Sequence, residues 1–183
     1  GADLTPELIA LFKENGVGRK SSLTCTVSPA LPFVELDPEK THSTEIQKVN
    51  GDIVYKGIVH AAQAALEAGI PVGLGTDSAC PYVTHYDMWR EVVYFERIVG
   101  APRKLALHTA TLGNARILGL SDETGSIEVG KAADLIVLDE NPLENLEALR
   151  QVKMVMARGK LVSGLSVKHL PELDRELDAF LPR

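Results

Sequence analysis

Leu8, Ile9, Leu11 and Phe12 recur at the three-and-four spacing of one helical face. They follow Thr5-Pro6-Glu7, which offers a hydroxyl cap, a proline at the first helical position and an acid near the positive helix end; Gly16 supplies the stop. The period then changes to two. Leu23, Cys25 and Val27 alternate with Thr24 and Thr26, which predicts a short strand over 22–27. Residues 28–51 hold Pro29, Pro32 and Pro38 and no sustained period, so they predict a long connection of the kind that forms a lid or binding loop or stays disordered. Helical spacing returns in Val54, Ile58, Ala61, Ala62 and Ala65, with Asp52 as the expected cap and Gly69 as the stop. Pro71 to Gly75 predicts a second strand ending on Thr76-Asp77-Ser78, and its two glycines predict close approach of neighbouring backbone. Thr84 and Asp87, three apart, predict a capping box for a helix running to Val99, and 102–120 read as two short helices broken near Gly113.

Helix, strand, helix, strand, helix is the order of a parallel α/β fold. Past residue 122 the texture changes. Gly125 to Gly130 is turn-rich, Ala132 to Leu138 is an apolar strand, Val152 to Ala157 alternates, and Arg158-Gly159 predicts a tight turn into Lys160-Leu161-Val162. This predicts a small β subdomain, followed by an amphipathic helix carrying Leu173, Leu177 and Phe180. There is no internal repeat or low-complexity tract.

Composition narrows the function classes. Of 183 residues 45% are hydrophobic and 24% charged, the balance of a chain that orders itself by burial. The net charge of −6 disfavours a nucleic-acid partner. No apolar run approaches a membrane span, so no membrane partner is expected. Cys25 and Cys80 are too few for a disulfide scaffold; as reduced thiols they make the cytoplasm the expected compartment.

Two phosphate-loop patterns fail on inspection. Gly73 to Ser78 has serine where a dinucleotide fingerprint needs its third glycine, and Gly16 to Ser21 lacks the glycine before lysine. Asp77 is more informative, because it stands at the carboxyl end of a predicted strand, the catalytic end in a parallel barrel. There a carboxylate can bind a metal or move a proton, or simply cap a loop.

The run Gly75-Thr76-Asp77-Ser78 is followed in order by Thr109-Ala110-Thr111-Leu112-Gly113-Asn114-Ala115-Arg116-Ile117-Leu118-Gly119-Leu120, then Gly125 to Asp139, then Val155 to Val162. This ordered set resembles the C-terminal part of the metal-dependent amidohydrolase superfamily, in its imidazolonepropionase-like and Xaa-Pro-dipeptidase-like branch. The resemblance implies an α/β chain made of the C-terminal portion of a TIM-type barrel, its last two strand–helix units, plus part of a small β-sandwich. The implied divisions are 1–122, 123–165 and a terminal helix over 166–183. It implies a hydrolase of carbon–nitrogen bonds in small amides or dipeptide-like molecules, using one or two divalent ions, zinc being the expected one. It assigns Asp77 as both metal ligand and catalytic carboxylate, aimed into a cavity whose other walls come from further polypeptide.

The sequence departs from the family pattern in its histidines. His42, His60, His85, His108 and His169 form no His-x-His pair, so the implied reading is that the chain begins just past the last histidine ligand and holds no metal alone. Its implied partner is the missing N-terminal portion of the same protein or a second copy. His85 and Tyr82, close behind Asp77, and Phe33 on the 28–51 stretch are the candidates for substrate contact. For His85 a structural contact at a helix start is the bland alternative; for Leu31-Pro32-Phe33 it is pinning the loop to the barrel. His42 is expected in solvent, His60 and His108 in packing or on the surface, and Cys80 as a small buried hydrophobe. Two other classes stay open: a non-catalytic folded fragment or interaction module, and a complete but divergent α/β domain.

Overall fold

A computed structural model describes residues 4–15 and 21–181; the predicted Gly16 stop and most of the Gly16–Ser21 pattern lie outside them. Helix α1 (Pro6–Glu14) starts as its sequence dictates, the Thr5 hydroxyl accepting from Leu8 N–H. Its apolar face is split: Ile9 and Phe12 pack on the core, whereas Leu8 and Leu11 face solvent.

Strands β1 (Leu23–Cys25) and β2 (Val72–Leu74) pair in parallel, with Cys25 opposite Leu74. Around them Val27, Leu31, Ala62, Ala65, Ile70, Val92, Val93 and Phe95 form the core. The close neighbours of Gly73 are side chains rather than backbone. A Cβ there would lie 2.9 Å from Asn114 Oδ1 and 3.0 Å from Ile117 Cδ1.

The 28–51 stretch departs from the expected loop. It folds into α2 (Leu31–Glu35), α3 (Pro38–Thr41) and the opening turns of α4 (Glu45–Glu67). Prolines that broke the apolar period sit in the first turns of α2 and α3, where a missing N–H costs nothing. The cap of helix α4, Thr44, lies eight residues before the expected one. Thr44 and Gln47 form a reciprocal capping box, and Asp52 pairs instead with Lys56 at 2.7 Å within the helix. Gly51 marks where α4 meets α2: a Cβ there would lie 2.7 Å from Phe33 Cβ.

Helix α5 (Met88–Arg97) is also not opened by Thr84. The Thr84 hydroxyl donates to Asp87 Oδ2 at 2.6 Å and Trp89 Nε1–H donates to Asp87 Oδ1 at 3.1 Å, so Asp87 serves side chains and makes no side-chain cap. Helices α6 (Arg103–His108) and α7 (Asn114–Ile117) are joined rather than broken at Gly113, because a π turn over Thr109–Gly113 carries the chain through.

The strands past residue 122 fall where the alternation predicts them. Strands β3 (Leu135–Leu138), β4 (Val152–Ala157) and β5 (Lys160–Leu161) form an antiparallel sheet in that order. Arg158 and Gly159 both have positive φ, 48° and 77°, the requirement of a type I′ hairpin turn. Helix α8 (Pro171–Ala179) buries Leu177, and its Asp178 pairs with Arg90 of α5 and with Arg150 of the short turn before β4. Among the described residues no helix is long and apolar enough to cross a membrane.

Candidate functional site

Parallel pairing brings the carboxyl ends of β1 and β2 side by side, and the cleft lies just beyond them. It encloses about 370 Å³ and is lined by Thr26, Pro29, Ala30, Phe33, Gln47, Asn50, Gly51, Val54, Ile58 and Asp77. The lining thus combines one carboxylate, two carboxamides and a hydroxyl with apolar residues from α2 and α4.

Asp77 stands on the rim of this cleft and is exposed. Its φ of 55° places a non-glycine residue in the left-handed region, as do Ala79 (82°) and Tyr82 (66°), so the segment after β2 is a tight non-repeating turn. The Cys80 N–H donates to the Asp77 carbonyl at 3.1 Å and the Cys80 thiol donates to Asp77 Oδ2 at 3.4 Å. That thiol is therefore half-exposed and partnered, not the expected buried hydrophobe, and the hydrogen bond to the carboxylate raises its pKa.

The other candidates divide. Phe33 lines the cleft, with Leu31 and Pro32 buried beneath it, and its ring meets Tyr82 edge-on at 5.8 Å. Tyr82 is held by donating its hydroxyl to the Thr41 carbonyl at 3.1 Å. His85 is placed apart from the cleft lining: exposed, its ring edge-on to Tyr86 at 5.3 Å, with Tyr86 in turn against His169 at 4.4 Å. His42 and His60 are exposed, and His108 is half-buried beside the π turn.

Glu91 belongs to none of the motifs above. It is fully buried on α5, accepting from Val27 N–H at 2.7 Å, Ser28 N–H at 2.9 Å and the Ser28 hydroxyl at 2.5 Å. Burial pushes its carboxyl up to about 7 against the opposing pull of those donors. Its sequence signal is a charge set among Trp89, Val92, Val93, Tyr94 and Phe95.

Among the described residues no group of three or more histidine, cysteine, aspartate or glutamate side chains could hold a metal ion. Asp77 and Cys80 give two donors, short of the three or four protein ligands a zinc site needs. The donor set of the described residues does not fit a resident divalent ion.

The profile described as the amidohydrolase family matches residues 33–162. A curated 5-methylthioadenosine/S-adenosylhomocysteine deaminase of Bacillus thuringiensis (strain Al Hakam) is 34% identical over 116 residues, 57% of this chain and 26% of that protein. A crystal structure of a "putative prolidase from Bifidobacterium longum" superposes with a TM-score of 0.92 at 39% identity, covering 98% of this chain and 44% of the other. A Xaa-Pro dipeptidase with bound methionine in the active site superposes with a TM-score of 0.70 at 32% identity, over 87% of this chain and 38% of the other. The chain thus spans about a quarter of the curated relative's length and under half of each solved chain.

Proposed function

Because the chain belongs to the amidohydrolase family, with its TIM-barrel-like α/β fold, we propose that it carries the Asp77 side of an active site that hydrolyses a carbon–nitrogen bond in a small amide or dipeptide-like molecule. The observation that carries this reading is position. Asp77 follows the carboxyl end of β2 and shares a cleft with Thr26, which follows the carboxyl end of the paired strand β1.

A carboxylate on that rim takes a proton from the attacking water and hands it to the leaving nitrogen, which then departs as a neutral amine. Phe33, Val54 and Ile58 offer an apolar wall to a substrate side chain, and the Asn50 amide, the Thr26 hydroxyl and the Gln47 amide nitrogen, whose oxygen is spent on Thr44, offer hydrogen bonds. Tyr82, buttressed by Phe33, and His85 further out are the remaining substrate-contact candidates. The family is generally metal-dependent. One or two zinc ions belong, in this reading, to the complete protein, where Asp77 is this chain's ligand and the others come from polypeptide outside the 183 residues or from a second copy. In the same reading residues 1–122 are the barrel share, 123–165 the sandwich share and 166–183 the terminal helix, in a cytoplasmic enzyme without nucleic-acid or membrane partners. The isolated chain is inactive in this proposal.

A second reading, a folded non-catalytic fragment, is favoured by the exposure of Asp77. One panel separates these readings. The complete protein, assayed with added zinc, is offered neutral acyl amides, Xaa-Pro dipeptides and aminopurine nucleosides, and released amine or ammonia is measured. Turnover of an amide or dipeptide is expected. Turnover of nucleosides alone replaces amide hydrolysis with deamination, and no turnover at all leaves the non-catalytic reading.

A further inference from the structure

Glu91 uses both carboxylate oxygens on one short piece of backbone. Val27 N–H donates to Oε1, and the N–H and hydroxyl of Ser28 donate to Oε2. That piece of chain leaves β1 and carries Thr26, Pro29 and Ala30 into the cleft lining beside Asp77. An apolar side chain would fill the same space but leave the buried Val27 and Ser28 N–H groups unpaired; the carboxyl pairs both at the cost of its own desolvation and thereby fixes the backbone geometry. Its titratable neighbours supply no cation to offset that cost: the Cys25 thiol from β1 and the Tyr94 phenol from α5 are both raised by burial, and Glu91 raises both further. Arg90, next to it on α5, is engaged with Asp87 and Asp178.

We infer that Glu91 is a positioning residue for the reaction, setting from α5 the backbone at the carboxyl end of β1 against which the substrate lies opposite Asp77. The inference rests on the Asp77 cleft being the active site. Misplacing a reacting group by about an ångström can cost about a hundredfold in rate, so the loss belongs in kcat.

The test compares wild type, Glu91→Gln, Ser28→Ala and Asp77→Asn in the complete protein, reading kcat, KM and melting temperature. Glu91→Gln, whose amide nitrogen cannot accept from the backbone N–H it faces, should lower kcat at least about tenfold with KM within about threefold, a split that a loss of stability alone does not produce. Ser28→Ala, which removes one of the three donors, should show the same split with a smaller loss. If both keep kcat within about twofold while Asp77→Asn abolishes turnover, Glu91 is only structural and the cleft reading stands. If they lose turnover while Asp77→Asn keeps it, the cleft reading is wrong and the inference falls with it. Should Glu91→Gln not fold, Ser28→Ala decides alone.

Discussion

The side-chain amide of Asn114 satisfies both backbone hydrogen bonds of Leu74: Leu74 N–H donates to Oδ1 and Nδ2–H donates to the Leu74 carbonyl, each at 2.9 Å. Leu74 is buried, and Pro71 and Gly75 spend their backbone groups on β1, so Asn114 acts as a one-residue strand on the far edge of β2. Asn114→Ala leaves two buried backbone groups unpaired and should cost about 2–4 kcal/mol, measured by denaturant unfolding. A loss below about 0.5 kcal/mol would mean that water replaces the amide there.

This contact shows where sequence reading reaches and where it stops. Asn114 falls inside a family-like motif, and Gly73 inside a predicted strand, but that the glycine makes room for the asparagine depends on a fold that brings together residues forty-one apart in the chain. Local signals were legible: the Thr5 cap, the alternation of Leu23 and Cys25, the Arg158-Gly159 turn and the position of Asp77 after β2. The 28–51 stretch looks like a loop in sequence because α2 and α3, five and four residues long, are too short to show a period, and because Asp52 offers a competing cap signal to the Thr44–Gln47 capping box. Glu91 was invisible because its partners are backbone groups more than sixty residues away.

Gly51 sets the spacing between α4 and α2. Gly51→Ala places a methyl group 2.7 Å from Phe33 Cβ, so one helix must move. The expected cost is about 1–3 kcal/mol in chemical unfolding, despite the better helix propensity of alanine. Phe33→Ala keeps the Cβ and so should not relieve the clash, whereas Phe33→Gly should restore part of the loss; full additivity of Gly51→Ala with Phe33→Gly would contradict this packing.

At the β4–β5 hairpin Arg158 holds a positive φ that a non-glycine side chain disfavours. Its ion pair with Glu123, at 3.7 Å and largely exposed, offsets little of this. Arg158→Asn suits the type I′ turn and should stabilise the protein by up to about 1 kcal/mol. A lower melting temperature would count against the turn assignment.

Glu91 should make stability pH-dependent. Its folded carboxyl titrates at about 7, above its ordinary 4.5, so between those values the folded state holds a proton that the unfolded state has released. Its contribution is therefore complete below about 4.5 and lost as pH rises through about 7, with a slope of at most about 1.4 kcal/mol per pH unit. Relative to Glu91→Gln, the melting temperature of wild type should fall from pH 5 to pH 8. Parallel curves would show that the carboxyl is not raised by burial.

Turnover of Asp77→Asn in the complete protein, with melting temperature recorded alongside, addresses the proposed chemistry most directly. Replacing the carboxylate by an isosteric amide keeps the shape of the rim and removes the proton acceptor, so kcat should fall by about 10²–10⁴-fold while the exposed position leaves the melting temperature nearly unchanged. A variant that folds normally and turns over within about threefold of wild type would remove Asp77 from the reaction.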